Sequence, residues 1–433
     1  IPNAAVSDKN LEDLEAFNGK DVFYAVSSKG TVILKLAAAM TSEEQALFST
    51  EERNQSKIAV PIEKIQLDKK SILNMRDIDA SASGILSGPK AANLGQLKQM
   101  FPDHVVEGLV IPFGIFRDHM NLPMPGQGKS YWEFLTEMFQ TAEAKRKAGT
   151  PESQVVDYQL AKLATLREAI NAMELKPSFV TELRNAFSSI FGKPIGQAPV
   201  FLRSDTNMED LEEFTGAGLN LTLFNVVEEQ KILDGIKKVW ASPYTERSFK
   251  WRQVYLSNPE NVFPSILVIP SVDVDYSGVM ITKGINEGTD EDLTVAFSRG
   301  AGGAVDGQAA ETRLVTSTES KLLAPARQPD FIRLPASGGT KAYQTAFESS
   351  ILNEKNIQSL REVAEEIRTK IPQETNSNPN SAYDVELGFQ NDKLWLFQIR
   401  PFVENKNALS NGYLDSIAPK TNPDEYIEMD SKL

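Results

Sequence analysis

Residues 384–402 read DVELGFQNDKLWLFQIRPF, and their pattern decides how the C-terminal half of the chain folds. Asp384, Glu386 and Gly388 alternate with apolar residues; Trp395, Phe397 and Ile399 alternate with Leu396, Gln398 and Arg400. Side chains on a strand point to opposite faces with period two. Each run therefore reads as a strand, and Gln390-Asn391-Asp392 reads as the tight turn between them. Gln398 and Arg400 share one face, and the turn brings Glu386 near Gln398 across the ladder. A carboxylate beside an amide oxygen suits a hard cation such as Mg²⁺, and a neighbouring arginine suits a phosphate. The same spacing also fits a solvated hairpin face with one ion pair.

Outward from this hairpin, helical and strand-like stretches mix. A helix is expected around 353–370, after a polar stretch near 335–345. SILVIPSV, SGVMIT, LTVAFS and AETRLV are short strand candidates separated by turn residues. EEQKILDGIKKVWASPYTERSFKWRQ reads as a helical region broken at Pro243, GLNLTLFNV as a strand, and residues 130–192 as three amphipathic helices. EGLVIPFGIF is strand-like, and SGPKAANLGQLKQM leads into a helix marked by Leu94, Leu97 and Met100. Near the start, VFYAVSSKGTVILKLAAA suggests two strands around a Ser-Ser-Lys-Gly turn. A helix capped by Thr41 or Ser42 follows. The expected class is α+β with several hairpins rather than a doubly wound parallel sheet. Residues 1–80 are expected to form a small accessory region and 406–433 a polar tail or linker.

The 433 residues suffice for two or three domains. No apolar run approaches the roughly 18 residues that span a bilayer, so no membrane span is expected. A net charge of −14 argues against a surface that grips nucleic acid. The chain has no cysteine, which removes disulfides, thiolate catalysis and cysteine-based zinc sites. His104 and His119 are the only imidazoles, too few for a histidine-rich metal site, and both read as structural or surface residues. A first residue other than Met suggests a processed protein or a piece of a longer one; the expected location is cytoplasmic, with export as the alternative.

Three further stretches carry chemistry. In LRSDTNMEDL an apolar strand delivers Arg203 at its end, where a guanidinium fork can clamp a phosphoryl group. Asp205, Glu209 and Asp210 are candidates to orient it, or simply to cap a helix start. In SGPKAANLGQL, Lys90 follows Gly88 at a helix start, so that backbone N–H groups and one ammonium could grip an anion. This is not a Walker A loop, which needs GxxxxGK[ST]. SRGAGGAVDGQ, with Gly300, Gly302, Gly303 and Gly307, is a loop able to approach phosphates closely.

Each motif is weak alone, but their order is specific. The series GPKAANLGQL, VIPFGIF, FLRSDTNMEDLEEFTGAGLNLTLFNV, ILDGIKKVWASPYTERSFKWR, SGVMIT, GAGGAVDGQ and DVELGFQNDKLWLFQIRPF resembles the N-terminal nucleotide-binding domain of the phosphoenolpyruvate synthase and pyruvate phosphate dikinase family. It runs from about Gly88 to Pro401. The resemblance implies an ATP-grasp-like, multi-lobed domain over residues 81–405, in which ATP phosphorylates a histidine on a separate domain. It implies that Lys90 contacts the nucleotide phosphates and that Arg203 stabilises the transferring group. Glu386 and Gln398 would hold Mg²⁺ and Arg400 would touch phosphate. Ile269, Val272, Gly300, Gly302 and Gly303 would lie on the nucleotide. The chain departs from the family pattern twice. Gly303 stands where the family often has Glu, and Ile269-Pro270 where the adenine-side strand commonly ends Val-Gln. Neither histidine sits in a phosphoacceptor motif, so the acceptor is expected on a partner or on domains beyond this chain. The alternatives are a nucleotide-silent scaffold that binds a partner protein, and a kinase acting on a carbohydrate or small molecule.

Overall fold

A computed structural model describes residues 16–17, 19–26, 32–49, 57–209, 221–285, 288–303, 310–346, 349–375, 377–402 and 412–417. The chain divides into two compact units, one formed by residues 1–55 with 403–433 and the other by residues 56–402.

In the first unit, β1 (Val22–Val26) and β2 (Val32–Leu36) form an antiparallel pair. The expected turn between them lies outside the described residues. Helix α1 (Ser42–Ser49) begins with reciprocal bonds, Thr41 N–H to Glu44 Oε2 at 2.7 Å and Glu44 N–H to Thr41 Oγ1 at 3.2 Å. Thr41 is thus the cap, and two orphan donors of the first turn are satisfied. Lys35 pairs with Glu44 at 2.6 Å, and Tyr413, on the short helix Gly412–Ile417, donates its hydroxyl to the same carboxylate.

The second unit opens with β3 (Leu73–Asn74), α2 (Pro89–Met100), β4 (Leu109–Ile111) and α3 (Phe113–Met120). The strand expected through EGLVIPFGIF stops at Ile111, and the rest is helix. Phe113, Phe116 and Met120 recur at helical spacing and are all buried, so the apolar run carries a helical period that begins just after Pro112. The three expected helices follow as α4 (Tyr131–Lys147), α5 (Glu152–Asn171) and α6 (Pro177–Phe191). Then come β5 (Val200–Thr206), β6 (Thr222–Val226), α7 (Glu229–Ala241), α8 (Glu246–Tyr255) and β7 (Pro264–Pro270). The break between α7 and α8 is a 3₁₀ turn over Ser242–Tyr244, at Pro243 as expected.

The remaining strands are β8 (Tyr276–Ile281), β9 (Leu293–Arg299), β10 (Glu311–Val315), β11 (Ser320–Ala324), β12 (Asp330–Arg333) and β13 (Lys341–Gln344). Helix α9 (Glu354–Thr375) precedes the last hairpin, β14 (Tyr383–Gln390) and β15 (Lys393–Pro401). Its turn residues Asn391 and Asp392 have φ of 50° and 61°, the left-handed pair that matches the twist of a two-residue hairpin. β13 has no buried residue, so no alternation announces it.

Two antiparallel sheets organise this unit. One has the order β3-β4-β7-β5-β6, the other β11-β10-β9-β8-β14-β15. The first packs on α3 to α8 through a core that includes Phe113, Leu166, Phe187 and Trp240. The second shares a core with α2 and α9 through Leu94, Leu97, Leu360, Ile367, Val385 and Phe389. Mixed helices and antiparallel sheets make the class α+β, as the sequence led us to expect. Among the described residues no helix is long and apolar enough to cross a membrane.

Candidate nucleotide site between the two sheets

β5 lies between β7 and β6, and Arg203 leaves it toward the hairpin of the other sheet. Its Nη1 donates to the carbonyl of Phe397 at 2.9 Å. Its Nη2 donates to Gln398 Oε1 at 2.6 Å and to Glu386 Oε2 at 3.1 Å. The hairpin provides these acceptors by register. Glu386 stands opposite Gln398, but the next pair is Leu387 with Leu396, which leaves Phe397 unpaired on β14. Such a bulge takes one residue out of the ladder, and here the Phe397 carbonyl turns to Arg203. The bulge carries no signal in the sequence. On the next same-face position, Arg400 faces Asp384 and donates from Nε and Nη2 to Oδ2, each at 2.8 Å.

Lys90 comes from the first turn of α2, behind Gly88 at the N-cap and Pro89. The N–H groups of Lys90 and Ala91 donate to the two carboxylate oxygens of Asp205, at 2.9 and 3.0 Å. The ammonium of Lys90 donates to the Ser204 carbonyl at 3.1 Å and pairs with Glu209. Glu209 also accepts from the Thr206 N–H at 3.0 Å. Two expectations change as a result. The helix N-terminus offered as an anion grip is already filled by Asp205. The acids of RSDTNMED serve Lys90 and α2 rather than Arg203, with Asp210 outside the described residues. The physical cause is burial: Lys90, Asp205 and Glu209 are all buried, and a helix end removed from water must find acceptors inside the protein. Asp205 is fully buried, and burial together with nearby Glu209 pushes its carboxyl up to about 7, against the Lys90 ammonium and the two backbone donors. Gly88 is required here, since a Cβ would lie 2.7 Å from the Thr206 carbonyl oxygen.

Lys90 and Arg203 thus stand at neighbouring points of β5, Lys90 bonded to the Ser204 carbonyl and Glu209, and Arg203 bonded to the hairpin. The residues expected on the nucleotide divide. Ile269 is buried in the core shared with α2 and the second sheet. Val272 packs with Ala301, Leu334, Phe201 and Phe397, a separate apolar cluster beside the Arg203 contacts. Gly300 and Gly302 have φ of 69° and 82°, and Ser277 Oγ ties them together, donating to the Gly300 carbonyl at 2.8 Å and accepting the Gly302 N–H at 3.0 Å. Gly303 is buried at the end of this turn, and Gly307 lies outside the described residues. A cavity of about 330 Å³ is lined by Asp273, Phe331, Arg333, Pro335, Lys341 and Tyr343; Asp273 adjoins Val272 in the chain, and Arg333 and Pro335 flank Leu334, both of that apolar cluster. None of the charged residues around Arg203 lines it.

Among the described residues no cluster of three His, Cys, Asp or Glu side chains could hold a metal. The oxygens of Glu386 and Gln398 nevertheless converge on one guanidinium nitrogen, so they can meet at one cation. One carboxylate and one amide oxygen fit Mg²⁺, which commonly takes few protein ligands and completes its shell with water and substrate phosphate. The two histidines stand apart. His119 is buried against Phe179 and Trp240, with Nδ1 bonded to the Ile115 carbonyl, and its burial lowers its pKa. His104 bonds to the Leu394 carbonyl.

The family described as "Pyruvate phosphate dikinase, AMP/ATP-binding domain" matches residues 39–416. A probable phosphoenolpyruvate synthase of Pyrococcus horikoshii is 27% identical over 264 residues, covering 57% of this chain and 31% of its own. Rifampicin phosphotransferase of Bacillus cereus is 24% identical over 336 residues, covering 76% of this chain and 35% of its own. The chain thus spans about a third of the length of these curated relatives. Among solved structures, D-alanyl-alanine synthetase A from Vibrio cholerae aligns with 52% of this chain and 47% of its own at 12% identity, with a TM-score of 0.21, too low to bear on the fold. The match over residues 39–416 makes this chain a member of the pyruvate phosphate dikinase AMP/ATP-binding domain family.

Proposed function

We propose that this chain is the ATP- and Mg²⁺-binding part of a phosphotransferase, passing a phosphoryl group from ATP to a histidine on a separate domain or partner, in chemistry of the pyruvate and phosphoenolpyruvate type. The observation that carries the reading is the meeting of Arg203, from one sheet, with Glu386 and Gln398, from the other. Phosphoryl transfer asks a protein mainly for positioning and charge neutralisation. Arg203 supplies positive charge from one wall, and Lys90 would add its own on leaving the Glu209 carboxylate for a phosphate. Glu386 and Gln398 are the residues that would hold Mg²⁺, which when bound neutralises phosphate charge. Arg400 lies next along the same hairpin, where its fork can meet a phosphate oxygen. Val272, the Gly300–Gly302 turn and the apolar cluster around Ala301 form the side on which the base would rest. A cytoplasmic location belongs to the same reading.

The transfer step is tested by mixing the chain with ATP labelled on its phosphates and a histidine-bearing domain from a phosphoenolpyruvate synthase. Label that appears on that domain, lost in acid and stable in base, supports phosphohistidine formation. Absence of transfer from a chain that binds ATP would remove the histidine from the proposal. Pro270 and Gly303 favour a second reading, a scaffold for a partner protein with a silent nucleotide site. It predicts no ATP binding and a partner interaction unaffected by Lys90→Ala or Glu386→Ala.

A further inference from the structure

We propose that Arg203 is a resident plug of the divalent-cation position, holding Glu386 and Gln398 closed until nucleotide phosphate draws its guanidinium away. This rests on the reading of Glu386 and Gln398 as the cation ligands. One nitrogen, Nη2, bonds both ligand oxygens, at 3.1 Å and 2.6 Å, while Nη1 anchors the group on the Phe397 carbonyl. A Mg²⁺ ion sits about 2.1 Å from each oxygen it takes. An ion that took both oxygens would compete with Nη2 for the same acceptors, and two positive groups cannot share that pair. The guanidinium and the ion are alternatives.

The surroundings suit an exchange. Phe397 has no Cα partner on β14, and the anchor is the carbonyl of this bulged residue. The Glu386 side chain is 26% exposed, so one side of the contact opens to solvent. A phosphate offers the guanidinium fork the bidentate acceptor geometry that the present three-point contact lacks. Release of Arg203 by ATP frees the cation ligands, so nucleotide and metal strengthen each other's binding, and by linkage the effect is mutual. Arg400 differs, because its Nε and Nη2 hold the Asp384 carboxylate.

If the ligands are free in about one molecule in ten, the apparent metal affinity is about tenfold below its intrinsic value. The probe is Mn²⁺ without nucleotide, titrated into the full chain and read by electron paramagnetic resonance of the free ion. Wild type is expected to bind weakly. Arg203→Met is expected to tighten Mn²⁺ binding by about tenfold. Arg203→Lys keeps the positive charge but cannot hold Phe397, Glu386 and Gln398 at once, and is expected to tighten it by a smaller factor. Tightening in the Met variant alone would mean a long-range charge effect and overturn the plug; no tightening in either folded variant would do the same. Should the Met variant not fold, the Lys variant decides alone. These outcomes are separate from the underlying reading, which fails only if wild type binds no ATP with Mg²⁺.

Discussion

Asp205 accepts the backbone N–H of Lys90 at 2.9 Å, joining the end of β5 to the first turn of α2 across 115 residues of chain. The bond fixes where Lys90 stands, and its energetics depend on the proton of Asp205. The folded carboxyl titrates at about 7, above the ordinary 3.8. Between these values the folded chain keeps a proton that the unfolded chain releases. Stability from this group is therefore greatest below about pH 4 and falls as pH rises toward 7. Asp205→Asn removes the titration. Urea melts at about pH 5.5 and about pH 8 should show the stability gap between wild type and variant narrowing at the higher pH. A gap that stays constant would show that Asp205 is ionised in both states.

Gly88→Ala presses a methyl group on the Thr206 carbonyl and on Asp205. The helix start must move, at a cost of about 1–3 kcal/mol, and Lys90 moves with it. Denaturation and ATP titration of the same variant should show both losses. Full stability with a Cβ at this position would contradict the described packing.

Arg400→Ala leaves the Asp384 carboxylate without its guanidinium, and Asp384 Oδ1 already lacks a hydrogen-bond partner. A loss of about 1–2 kcal/mol is expected. The double variant with Asp384→Asn should recover part of it. Purely additive losses in that double-mutant cycle would mean the pair is not coupled.

The part of the site that was legible in the sequence is local. The period-two pattern of 384–402 and its Asn-Asp turn mark the hairpin and its first pairs, from Gln390 with Lys393 to Leu387 with Leu396; continued without a break, that register would set Glu386 opposite Phe397, and the bulge moves it to Gln398. What stayed hidden is long-range or irregular. Lys90 and Glu209 are 119 residues apart, and nothing in RSDTNMED says that its acids serve α2 instead of the neighbouring Arg203. The bulge that turns the Phe397 carbonyl toward Arg203 needs no special residue type. β13 escaped because an all-exposed strand has no alternation, and α3 because a short apolar run reads equally as strand or helix.

Arg203, Glu386 and Gln398 are proposed as part of an ATP and Mg²⁺ site. Calorimetric titration of the chain with ATP, with and without Mg²⁺, in wild type and Arg203→Ala, tests it most directly. Wild type is expected to bind ATP, more tightly with Mg²⁺, and Arg203→Ala to weaken binding by about tenfold or more, the loss of one charge-assisted contact. Wild-type protein that binds no ATP under either condition would contradict it.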